Sequence, residues 1–141
     1  MHGGHCIKHW SSTQTTVTLS SGEAELGGIC RGASHALGLQ SLAKDLGIPL
    51  ALEVLADATA AIGICRRRGL GKIRHLHVAD LWVQDRVRKG DFLLTKCLGL
   101  DNPADMLTKH VTKDTMLKHM AFIGLVTESG RAASAPTIDH K

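Results

Sequence analysis

Three carboxylates stand where an α/β protein gathers its chemistry. Glu25 falls in the first turns of a helical segment that leaves a strand-like one, Asp57 directly follows an apolar run, and Asp105 lies near the start of a short helical stretch. In open α/β sheets, ligands bind outside the carboxyl ends of strands. An acid placed there suits Mg²⁺, which takes oxygen ligands and keeps part of its water shell. Two such ions about 4 Å apart activate water and stabilise the leaving oxygen of a phosphodiester. Each acid also has a plainer use. Asp57 suits the cap of the next helix, and Asp105 suits the positive end of a helix dipole.

The second chemical feature is positive charge. The chain carries 17 Lys and Arg against 13 Asp and Glu, a net +4 with neutral His. Eight of the cations (Arg66, Arg67, Arg68, Lys72, Arg74, Arg86, Arg88, Lys89) fall within 66–89, opposed there only by Asp80 and Asp85. Such a cluster suits an anionic partner, because Lys and Arg release condensed counterions from a phosphate backbone. A solvated helix face is the competing reading of the same residues. The nucleic-acid-binding candidates are Arg66, Arg67, Arg68, Lys72, Arg74 and His75.

Other motifs point elsewhere or nowhere. His2, His5, Cys6 and His9 have spacings that Zn²⁺ can use, but no second half pairs with them, and a vector remnant or flexible segment fits them better. Gly69-Leu70-Gly71-Lys72 is not a phosphate-binding P-loop, since the first Gly is misplaced and no Ser or Thr follows Lys72. Ser20 and Ser21 lack the GxSxG frame of a nucleophile elbow. The four Cys are dispersed, without CxxC, and read as small core residues of a reducing compartment.

The elements that must position these groups follow from period and punctuation. Residues 1–11 have no period and read as a leader. Residues 13–19 are β-branched and alternating, which predicts a strand. Ser20 with Glu23 makes a capping box. A helix should run from there to Leu46, with Leu26, Cys30, Ala33, Leu37, Leu42 and Leu46 as its apolar stripe and Gly47 as its stop. Residues 50–56 predict a largely buried strand, 58–67 a short helix with Ala61, Ile62 and Cys65 inward, and 68–72 a loop. Residues 75–89 predict an amphipathic helix with Val78, Trp82 or Leu81, and Val87 inward, stopped by Gly90. Residues 91–98 predict a strand. Asn102-Pro103 opens a helix over 104–110, and a last helix covers about 113–122. From 127 onward the small, polar composition predicts a disordered tail. The pattern is α/β, with parallel pairing available.

Bulk properties bound the rest. A length of 141 residues suits one domain, here expected over 12–122, between a leader at 1–11 and a tail at 123–141. Apolar residues make up 43% and charged residues 21%, an ordinary globular balance. With aromatics at 3%, the core must rest on Leu, Ile, Val and Ala. No run approaches the roughly 20 apolar residues of a membrane span, and the N-terminus lacks the apolar run of a signal peptide.

Four segments together resemble the ribonuclease H domain of copia-type retrotransposon polyproteins. Residues 19–26 (LSSGEAEL) resemble its SSxEAEY segment, and residues 57–62 (DATAAI) its DNxxAI segment. Residues 74–78 (RHLHV), with 86–90 downstream, resemble its basic KHID segment and following helix, and 103–109 (PADMLTK) its closing ADxLTK. They occur in the same order with compatible gaps over about 10–110. The resemblance implies a ribonuclease H-like mixed five-stranded sheet flanked by helices. It implies hydrolysis of the RNA strand of RNA–DNA hybrids with Mg²⁺, or Mn²⁺ in its place, held by Glu25, Asp57 and Asp105. An upstream reverse transcriptase segment and an intracellular setting, a cytoplasmic particle or the nucleus, go with it.

The departures are specific. The family's central metal ligand is an Asp on its first strand, and residues 1–12 contain no Asp or Glu. Residues 10–14 (WSSTQ) resemble the family's third strand, so the resemblance implies an N-terminally truncated sheet. Leu26, Ala58 and His77 replace a Tyr, an Asn and an Asp of the family motifs. The expected hydrolysis is therefore impaired, and a non-catalytic nucleic-acid-binding relic of the same fold is the alternative.

Overall fold

The computed structural model describes residues 1, 4–14, 17–71 and 78–126. They form a mixed α/β structure. Four α-helices, α1 (Ser21–Asp45), α2 (Thr59–Arg66), α3 (Trp82–Lys89) and α4 (Lys113–Phe122), accompany two strands, β1 (Glu53–Ala56) and β2 (Leu93–Lys96). Short 3-10 turns occupy Val78–Leu81, Gly99–Asp101 and Pro103–Leu107. The chain divides into two compact units, Ser11–Asn102 and Met1–Trp10 with Pro103–Lys141.

In the larger unit, β1 and β2 pair in parallel, with Glu53 opposite Leu93 and Ala56 opposite Lys96. Parallel strands need a crossover, and α2 and α3 lie within it. Leu93 N–H donates to Leu52 O at 2.9 Å and Cys97 N–H to Ala56 O at 3.0 Å, extending the ladder at both ends. The core joins Leu26, Ile29, Cys30 and Ala33 of α1, Ala61, Ile62, Ile64 and Cys65 of α2, and Val83 of α3 to Ala56, Phe92 and Leu94 of the sheet region. Ala33, Ala61 and Val83 are fully buried, at 0% exposure. Small side chains on α1 and α2 let the two helices approach closely.

The ends of α1 follow their sequence signals. Ser20 Oγ accepts from Glu23 N–H at 3.3 Å, while Glu23 Oε2 reaches past the cap to accept from Leu19 N–H at 3.1 Å. At the other end, Gly47 has φ +77°, and Gly47 N–H and Ile48 N–H donate back to Lys44 O and Ala43 O. That left-handed closure needs a residue without Cβ. Gly90 after α3 repeats it, with φ +74°.

Several expectations are corrected. The described residues of 13–19 are not in a strand. Among the described residues no neighbouring strand offers them a ladder, and Gln14 instead donates its Nε2 to Ala24 O of α1 at 2.7 Å. The strand at 50–56 shortens to the four residues of β1 and is only half covered: Leu52, Val54 and Ala56 face the core, while Glu53 and Leu55 are exposed. The strand at 91–98 likewise shortens to the stretch that finds a partner in β1. The apolar stripe of α1 ends midway. Leu37 is half-buried, and Leu42 and Leu46 are 57% and 69% exposed, because the core does not extend under the second half of this 25-residue helix.

The α-helical part of the 75–89 segment begins only at Trp82, after a 3-10 turn, and residues 72–77 lie outside the described set. Its most buried side chains are Val83 and Gln84, with Leu81, Trp82 and Val87 half-buried around them.

The smaller unit carries the Pro103–Leu107 turn and α4. The turn replaces the α-helix expected over 104–110. Thr112 caps α4, and His119 and Ile123 are buried. Trp10 is exposed, with Lys8 Nζ 5.7 Å from its ring centre. Of the expected tail at 123–141, residues 123–126 are described, and Ile123 among them is buried; the part from 127 onward lies outside the described residues. No helix among the described residues is long and apolar enough to cross a membrane.

Candidate functional site

Asp57 occupies the position the sequence suggests. It directly follows β1, at the carboxyl end of the parallel pair. The chain leaving β2 turns at Gly99 on the same side, where a β-carbon would stand 3.6 Å from Asp57 Oδ2. Asp57 is half-buried. It does not cap α2: the cap position is Ala58, with no side-chain hydrogen bond to the first turn.

Glu25 is exposed on the first turns of α1. Those turns abut the start of α2. A β-carbon on Gly22 would lie 3.1 Å from the Ala60 Cβ. Gly22 and Glu25 are three residues apart and so share one side of the helix. The fold therefore brings the elements bearing Glu25 and Asp57 together within the larger unit.

Asp105 belongs to the smaller unit. Its carboxylate is engaged by Lys109 Nζ, at 2.9 and 3.0 Å to its two oxygens. That pair spans one helical turn and neutralises the charge a cation would need. Among the described residues, no three His, Cys, Asp or Glu side chains gather closely enough to hold a metal ion. Of the three predicted acids the larger unit holds two, Glu25 and Asp57, fewer than a two-ion centre takes, and no hydrolytic step is derived through Mg²⁺ or Mn²⁺.

The basic residues divide into two groups. Arg66 is exposed, and its Nη2 donates to Leu94 O at 2.9 Å, tying the end of α2 to β2. Arg67 folds onto its own turn: Nη2 donates to Leu70 O at 2.6 Å, and Nε is buried without a hydrogen-bond partner. Arg68 is exposed. On α3 the cations are paired. Asp85 binds Arg88 and Lys89, both at 2.7 Å, and Asp91 binds Arg86 at 2.8 Å. The contacts from Lys89 and then Arg88 hold the Asp85 carboxyl below its ordinary range, and Asp91 raises Arg86. Lys72, Arg74 and His75 lie outside the described residues.

Gln84 is the polar residue that the sequence pattern passes over. Its side chain is buried at 8% exposure. Oε1 accepts from Gly69 N–H at 2.9 Å, and Nε2 donates to Ile64 O at 2.9 Å and Gly69 O at 3.1 Å. One amide joins the end of α2, the following turn and α3. The signal was the three-residue spacing of Leu81, Gln84 and Val87, which puts Gln84 on the apolar side of the helix.

The buried cysteines are inert. Burial, then Asp80 and Cys65, pushes the Cys30 thiol up to about 12, and burial pushes Cys65 up to about 11. Neither is a nucleophile near neutral pH, since the thiolate is the reactive form. Comparison with protein-family models, with curated proteins and with solved structures finds no match to this chain.

Proposed function

We propose that this chain is a ribonuclease H-like module of the copia retrotransposon type, which binds RNA–DNA hybrids or related nucleic acid and hydrolyses them poorly. One observation carries the reading. Asp57, from the segment resembling DNxxAI, directly follows β1 at the carboxyl end of a parallel strand pair. The first turns of α1, which carry Glu25 in the segment resembling SSxEAEY, pack against the start of α2 at Gly22 and Ala60 and support it. Such a parallel pair with its helices is compatible with part of a mixed sheet flanked by helices.

Impairment is read from Asp105, whose carboxylate is already paired with Lys109. Mg²⁺ or Mn²⁺ is the ion to test, with Glu25 and Asp57 as the carboxylates for it. Catalysis by positioned groups tolerates little displacement, and an error near 1 Å costs about a hundredfold. The second reading, a binding module without hydrolysis, is favoured by the same Asp105–Lys109 pair.

The test is binding and cleavage of a labelled RNA–DNA hybrid by the 141-residue chain. Binding should weaken steeply between about 50 and 200 mM salt, with little or no cleavage in Mg²⁺. Brisk cleavage abolished by Asp57→Asn would show a complete centre and overturn the impairment. No binding at the lowest salt would overturn the nucleic-acid reading.

A further inference from the structure

The turn after α2 and the helix α3 look alike in the sequence, as runs of Arg and Lys, and the structure separates them. On α3, Arg86, Arg88 and Lys89 face Asp85 and Asp91 at 2.7 to 2.8 Å, so most of that charge is already neutralised. At residues 66–68, three consecutive arginines meet no carboxylate among the described residues. Counterion release favours contacts made by cations that protein anions do not already hold.

That turn is also held in one shape from three directions. Arg66 anchors its start to β2. The Arg67 guanidinium fills the space beside Gly71, where a β-carbon would stand 2.8 Å from Cζ, and Gly71 has φ +61°. Gln84 reaches from α3 to grip both backbone groups of Gly69. Arg68 projects from the middle of this frame and is exposed. A contact residue on a preorganised turn loses less conformational freedom on binding than one on a loose loop.

We infer that the clamped 66–71 turn takes the phosphate backbone of a nucleic acid, with Arg68 as the contact residue and Gln84 as its positioning residue, and that α3 does not. This rests on the nucleic-acid reading above. The test uses the full chain and a fluorescent RNA–DNA hybrid, with anisotropy followed across salt. Arg68→Gln, at an exposed position that leaves folding intact, should weaken binding and reduce the log–log salt slope by roughly 1. Replacing Arg86, Arg88 and Lys89 together by Gln should leave the slope unchanged. Gln84→Leu should lower the slope in the parent but cost nothing further in the Arg68→Gln background, a coupling that a purely structural role would not produce. The assignment is overturned if the slope ignores Arg68→Gln, if the α3 variant reduces it more, or if Gln84→Leu costs the same in both backgrounds. A parent chain that binds no hybrid at all overturns the underlying reading instead.

Discussion

Gly22 of α1 and Ala60 of α2 are in such close approach that a β-carbon on Gly22 would stand 3.1 Å from that of Ala60. This contact sets the two helices that carry Glu25 and follow Asp57. A Cβ on Gly28, Gly32 or Gly38 would meet nothing within 4 Å. Gly28→Ala, Gly32→Ala and Gly38→Ala should therefore each stabilise by about 1 kcal/mol through helix propensity. Each should raise Tm by roughly 4–8 °C if the unit melts like a 60–100-residue domain. Gly22→Ala should give no gain, or a loss. Thermal melts by circular dichroism check this, and equal gains at all four positions would contradict the packing.

The half-and-half character of α1 makes a second prediction. Leu26 is 1% exposed, whereas Leu42 and Leu46 are more than half exposed. Leu26→Ala should cost about 3–5 kcal/mol, and Leu42→Gln or Leu46→Gln should stay within about 0.5 kcal/mol. Urea titration of the three variants measures the difference. A large cost at Leu42 would mean that its side chain is covered in solution.

Gln84 holds three backbone groups with one buried amide. Gln84→Leu leaves the Gly69 N–H and the Ile64 carbonyl without that partner, at about 1–3 kcal/mol for each group that stays buried. The Gly69 amide should then exchange its hydrogen much faster, while amides in the middle of α1 change only with global stability. Unchanged protection at Gly69 would show that the clamp does not hold.

Alkaline pH acts through the buried thiols. Cys30 and Cys65 are pushed up to about 12 and about 11 from an ordinary 9.0. From pH 9 upward the unfolded chain sheds these protons first, so the folded state binds more protons and stability falls as pH rises. Below pH 9 their contribution is fully present. The parent Tm should decline above pH 9 more steeply than that of a Cys30→Ala/Cys65→Ala variant, even though the variant is less stable at neutral pH. Parallel declines would contradict burial of the thiols.

At acid pH the relevant group is Asp85, held low by Lys89 first and Arg88 second. Its lowered folded value means the pairing is present above the unfolded value, about 3.9, and is lost as pH falls through the folded one. Carboxyl NMR titration should find Asp85 below the ordinary range, and Lys89→Gln should move it back further than Arg88→Gln.

The sequence by itself determined the elements whose signals are local. Ser20 and Glu23 start α1, and Gly47 and Gly90 stop α1 and α3, because a capping bond or a left-handed turn is decided by a few adjacent residues. The inward faces of α2 and of the first half of α1 were legible from helical spacing, and so was the position of Asp57 after an apolar strand. Only the tertiary structure decided what depends on partners distant in the chain. The described residues of 13–19 make no strand, since no described neighbour supplies a ladder. Leu42 and Leu46 continue a stripe over a core that has already ended. Helical spacing puts Gln84 on the apolar side, but only the fold brings the Gly69 turn that satisfies its amide. Arginines that look equivalent in sequence differ because carboxylates reach those on α3 and no described one reaches those at 66–68. Period and punctuation act over a few residues, whereas ladders, cover and charge pairing exist only once the chain has brought its elements together.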